Sequence, residues 1–165
     1  FGLGWSGNIG DYSFRGEGSI FKPLKKDALN KKTAVSASIS ADRTFENSLF
    51  INFSFLYNSL GSPEDGAGFS LLDPNQTLSA KRLSAGKFET FGQVSYPVSP
   101  LINLNIATIF NPLDNSAYIG PSVNLSLSDN LDLLFTAQIL TGDEKSEYAY
   151  FGNTYCLFGR LKWSF

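Results

Sequence analysis

The chain has 165 residues, a formal net charge of -2, 15% aromatic residues and 17% charged ones, a charged share below the roughly 25% of soluble domains. It has no basic footprint for a nucleic-acid partner. Its lack of histidine and its single cysteine, Cys156, exclude His-dependent triads and dyads, His-ligated zinc and an internal disulfide.

No run of about 18 apolar residues occurs, so no helix spans a membrane. A membrane protein of this composition crosses as a β-barrel or not at all. The chain opens on Phe1 without a signal peptide, which points to export processing or truncation upstream.

Alternate positions are apolar in nine segments of about ten residues, the strand signal at the length of a barrel strand. They lie near 1–7, 12–21, 33–42, 48–57, 87–96, 101–110, 116–127, 131–141 and 155–165. The first, Phe1-Gly2-Leu3-Gly4-Trp5-Ser6-Gly7, is glycine-rich. The second carries Arg15 and Glu17 two apart and hence on one side. In the third, Val35, Ala37, Ile39 and Ala41 oppose Ser36, Ser38, Ser40 and Asp42. In the fourth, Leu49, Ile51, Phe53, Phe55 and Tyr57 oppose Phe50, Asn52, Ser54 and Leu56. The fifth puts Lys87, Glu89, Phe91 and Gln93 on its polar side. The sixth sets Ile102, Leu104, Ile106, Thr108 and Phe110 against Asn103, Asn105, Ala107 and Ile109. In the eighth, Leu131, Leu133, Phe135, Ala137 and Ile139 oppose Asp132, Leu134, Thr136, Gln138 and Leu140.

Within these bounds every charged residue falls on the polar side: Arg15, Glu17, Asp42, Lys87, Glu89, Asp132, Arg160 and Lys162. A soluble up-and-down barrel or sandwich also has one apolar face, but its strands average about five or six residues. Ten residues at about 3.3 Å each, tilted by about 45°, span close to the outer-membrane apolar height of about 25 Å.

The connections alternate. Those at 8–11, 43–47, 97–100 and 128–130 are tight; those at 22–32, 58–86, 111–115 and 142–154 are mostly longer. Outer-membrane barrels distribute their turns and loops in this way.

The final segment ends Tyr155-Cys156-Leu157-Phe158-Gly159-Arg160-Leu161-Lys162-Trp163-Ser164-Phe165. Tyr155, Leu157, Leu161, Trp163 and Phe165 share one face. The segment resembles the C-terminal strand signal of bacterial outer-membrane barrels, with Gly159 one step from the commonest place of its glycine. Two hairpins, Tyr96 to Leu101 and Gly10 to Glu17, look like those of porin-like barrels.

The resemblance implies an all-β, transmembrane, antiparallel up-and-down β-barrel in a bacterial outer membrane, with the C-terminus periplasmic. It implies as partners outer-membrane lipid and lipopolysaccharide, the barrel-assembly machinery during biogenesis, and other outer-membrane complex subunits. The tight turns then face the periplasm and the long loops the outside. Nine strands are odd where a complete single-chain bacterial barrel has an even number. Either at least one strand precedes this chain, making it the C-terminal part of a larger barrel, or residues 1–7 are not a strand and eight close.

The expected function is a porin-like pore or transporter for small solutes, without cofactor or enzymatic chemistry. The alternative is a non-conducting structural barrel that anchors a larger complex. Candidate lumen-lining residues are Arg15, Glu17, Glu89, Gln93, Asp132, Gln138, Arg160 and Lys162. Their charges nearly balance, which argues against strong ion selectivity. The polar side also carries Phe50, Leu56, Phe91, Tyr118, Leu134, Leu140 and Phe158. In a small barrel these simply fill the interior; in a wide one, bare apolar groups facing water are unfavourable, so something packs inside, and the long 58–86 connection is the expected inward constriction or outer binding surface. The lysines at 22, 25, 26, 31 and 32 suit anionic lipopolysaccharide head groups or a merely solvated loop. Asp143, Glu144 and Glu147 suggest at most weak attraction of a divalent cation.

Overall fold

The computed structural model describes residues 1–23, 33–61, 84 and 86–165. These form one antiparallel sheet of nine strands in up-and-down order, with no helix among the described residues. The strands are β1 (Gly2–Ile9), β2 (Tyr12–Phe21), β3 (Ala34–Thr44), β4 (Phe50–Asn58), β5 (Phe88–Ser99), β6 (Ile102–Asn111), β7 (Ser116–Ser128), β8 (Leu131–Thr141) and β9 (Thr154–Trp163). Each pairs only with its neighbours in sequence, and the sheet does not close, so β1 and β9 are edge strands exposed along their length. Because direction alternates, β1 and β9 run parallel to one another.

Turn chemistry sets the register at one end. Gly10 occupies the first position of the two-residue β1–β2 turn with φ of 57°, where a β-carbon is disfavoured. Between β3 and β4, Phe45 N–H donates to Leu49 O at 2.8 Å and Ser48 N–H to Phe45 O at 2.9 Å. The long strands β5 and β7 shift register between Pro97 and Ser99 and between Ser126 and Ser128 as they enter their turns, which absorbs one extra residue on each strand.

Register aligns the two faces across the whole sheet. On one, Trp5 pairs with Gly16, Gly16 with Ile39, Ile39 with Phe55, Phe53 with Gly92, Val94 with Ile106, Leu104 with Val123, Val123 with Phe135 and Leu133 with Leu161. The other carries the serines, amides and most of the charges. The Trp5 indole packs against Gly16, where a β-carbon would fall 2.5 Å from the indole nitrogen.

Several strand boundaries depart from the sequence reading by one to three residues. β3 runs two residues past its expected end, which puts Arg43 inside a strand and on the apolar face, opposite Ile51. The expectation that this face carries no charge is therefore corrected. Arg43 is accommodated at the tight-turn end: its guanidinium lies 4.8 Å from the Tyr12 ring centre and 4.5 Å from that of Phe45. It also donates to the Tyr12 hydroxyl at 3.1 Å and to Asp11 at 2.8 Å. Lys87 lies just outside β5, and Ser164 and Phe165 lie beyond β9.

Candidate functional site: the polar face and an inward strap

All the sequence-predicted polar positions within strands fall on one face. Arg15 pairs across the sheet with Ser40, Glu17 with Ser38, Asn52 with Gln93, Leu56 with Glu89, Asp132 with Lys162, Leu134 with Arg160, and Gln138 with Cys156. Arg15 also reaches diagonally to Asp42, at 3.0 Å. Four bulky residues of this face form a row: Phe91 pairs with Ile109, Ile109 with Tyr118, and Tyr118 with Leu140, whereas Phe50, Leu56, Leu134 and Phe158 lie apart, opposite Ser95, Glu89, Asn124 and Thr136.

Above that row, toward the long-loop end, the segment between β8 and β9, residues 142–153, folds onto the polar face. Asp114 anchors it. Its Oδ1 accepts from Ser116 N–H at 3.0 Å and from Ser116 Oγ at 2.6 Å, and its Oδ2 accepts from Glu147 N–H at 2.7 Å. Ser116 Oγ in turn accepts from Tyr148 N–H at 3.3 Å, and Asn111 Nδ2 donates to Glu147 Oε2 at 2.8 Å. The Tyr148 hydroxyl donates to Glu89 Oε2 at 3.1 Å. Asn111, Asp114, Ser116, Ser146, Ala149 and Glu89 are buried beneath or within this strap. Burial, followed by the negative charges of Glu147 and Glu89, pushes the Tyr148 phenol above its ordinary range.

The long 58–86 connection is fastened to the same place. Asn58, fully buried, donates from its N–H to Lys87 O at 2.9 Å and from Nδ2 to Ser84 O at 3.1 Å. Gly86 passes so close that a β-carbon would lie 2.6 Å from Asn111 Nδ2 and 2.8 Å from carboxylate oxygens of Glu147 and Glu89. Only glycine lets the backbone through. Residues 62–83, which hold most of the expected constriction or outer binding surface, and the lysines at 25, 26, 31 and 32 lie outside the described residues.

Glu89 thus sits under the strap, not on an open wall. Gln93 is half-buried, and Glu17, Gln138, Arg160 and Lys162 are exposed. Asp143 and Glu144 are exposed while Glu147 turns inward, and no cluster able to hold a metal ion occurs among the described residues. On β9, Tyr155, Leu157, Leu161 and Trp163 share the apolar face, opposite Ile139, Ala137, Leu133 and Leu131. Phe165 follows the strand end.

Sequence reasoning missed Asn111, Asp114, Ser116 and Tyr148. The available signal was the pair of Asx turns in Asn111-Pro112-Leu113-Asp114-Asn115-Ser116. Asn111 Oδ1 accepts from Leu113 N–H at 2.9 Å, just as Asp114 accepts from Ser116. The chain matches no family model, no curated protein and no solved structure.

Proposed function

We propose that this sheet is part of the wall of a transmembrane β-barrel in a bacterial outer membrane, its apolar face against hydrocarbon and its polar face lining a pore for small solutes. One observation carries the reading. Among the described residues the buried hydrophobic ones are Ala34 and Ala149 alone, while Trp5, Phe53, Leu104, Phe135, Leu161 and Trp163 are exposed on one continuous face. A soluble domain buries such residues in a core; a barrel turns them to lipid.

Closure is by further strands. Antiparallel pairing across the gap between the parallel edges β9 and β1 takes an odd number of them, supplied by another segment of polypeptide, which gives an even total. Arg43 beside Tyr12 and Phe45 fits the interface at the tight-turn end, where long cationic side chains and tyrosines meet head groups. The inward strap supports a second reading, a plugged barrel that anchors a complex.

Both tryptophans of the chain, Trp5 and Trp163, occupy the apolar face, which makes the membrane claim directly testable. In vesicles, bromine atoms on the lipid tails quench their emission and aqueous acrylamide does not. Quenching by acrylamide alone rejects the reading. Planar-bilayer recording then separates a pore, which conducts, from a scaffold, which is silent.

A further inference from the structure

The polar face is not uniform, and its chemistry changes across the sheet. Arg15, Glu17 and Asp42 lie on β2 and β3, and Asp132, Arg160 and Lys162 on β8 and β9. Between them, β4, β6 and β7 contain no Asp, Glu, Lys or Arg, and β5 contains only Glu89, which is covered by the strap. The middle of this face, toward the tight-turn end, is a field of side-chain amides. Asn52 pairs with Gln93, Ser95 with Asn105, and Asn103 with Asn124.

These amides are only partly satisfied. Gln93 Nε2 donates to Asn105 Oδ1 at 2.9 Å, and Ser95 Oγ donates to Asn103 Oδ1 at 3.2 Å. Among the described residues, the amide nitrogens of Asn52, Asn103 and Asn105, the Gln93 carbonyl and both polar atoms of Asn124 have no protein partner. Each amide offers two donors and an acceptor without net charge. Just above lies the row Phe91, Ile109, Tyr118 and Leu140, a surface for C–H faces.

We propose that this amide field selects uncharged, hydroxyl-rich solutes of monosaccharide size, resting on the pore reading above. Vicinal hydroxyls both donate and accept, so they replace water on free amide groups one for one. An ion passing Gln93 and Asn105 gives up hydration without a free counter-charge to repay it, since Asp42, the carboxylate opposite Asn52, is already paired with Arg15 at 3.0 Å. A site that hydrogen-bonds hydroxyls discriminates strongly against a solute that leaves its groups unpaired.

The test uses the closed barrel, this chain together with the polypeptide that supplies the closing strands, in vesicles loaded with radiolabelled glucose, gluconate or glucosamine, three solutes of one size and differing charge. Glucose leaves faster than either charged solute by about fivefold or more. Replacing both Gln93→Leu and Asn105→Leu brings that ratio toward one. Should the leucine pair not fold, judged by heat-modifiable gel mobility, Asn105→Asp keeps the shape and shifts preference toward glucosamine. Equal efflux of all three, or a lead for a charged one, overturns the solute class while leaving a pore. Absence of both efflux and conductance removes the pore reading and this inference with it.

Discussion

The backbone N–H of Glu147 donates to Asp114 Oδ2 at 2.7 Å, tying the strap between β8 and β9 to the short connection between β6 and β7. Two of the oxygens that organise this corner belong to one carboxylate, and the Ser116 hydroxyl extends its reach to Tyr148. Hydrogen bonds to a charged acceptor contribute about 1.5–3 kcal/mol each.

Asp114→Ala therefore releases the strap at a cost of about 2–4 kcal/mol to that region, with the nine-stranded ladder intact. Hydrogen exchange at the Glu147 and Tyr148 amides reports it, rising while the strand amides of β6 and β7 stay protected. Unchanged protection at those two positions rejects Asp114 as the anchor. Asp114→Asn, which keeps one acceptor, gives a smaller rise.

Tyr148 gives the strap a pH dependence on the alkaline side. Its phenol is held neutral by burial and then by the carboxylates of Glu147 and Glu89, so its folded value lies above the ordinary tyrosine value of about 10. The stabilisation is full below that pH and is lost as pH rises above it, because the released strap frees a phenol that ionises readily. Phenolate absorbance during an alkaline titration shows one tyrosine ionising late, together with strap release. Tyr148→Phe abolishes that late step.

Gly16→Val displaces the Trp5 indole, since the added β-carbon meets three of its ring atoms at 2.5–2.8 Å. The expected loss is about 1–3 kcal/mol, typical of overpacking. Urea unfolding in vesicles measures it, and Trp5 emission, read in a Trp163→Phe background, shifts with the variant. Substitution at Gly7, where a β-carbon meets nothing within 4 Å, leaves both readouts near those of the parent.

Phe53→Arg places a charge on the apolar face near the middle of β4. In lipid this costs about 2–4 kcal/mol at the bilayer midplane, seen as a lower folded fraction in reversible refolding into vesicles. Ser38→Arg, on the polar face opposite Glu17, costs less than about 1 kcal/mol. Equal costs for the two would mean that hydrocarbon does not cover the Phe53 side.

The faces of the sheet were legible in the sequence because alternation is a property of consecutive residues: once a segment is extended, residue parity decides the side. Thus Phe53, Leu104 and Phe135 were assigned together, as were Arg15, Gln93 and Lys162, and pairing confirms that each set shares a face. Arg43 escaped that logic because the end of β3 depends on how far its pairing with β4 extends, to Thr44 against Phe50. Tertiary structure alone decided the strap. Asp114 and Glu147 are 33 residues apart, and only after β6 to β8 have paired does that corner exist. The polar atoms buried there must then find partners in the chain, having lost water. Periodicity records which way a side chain points, whereas the neighbour that meets it is set by the register of strands distant in sequence.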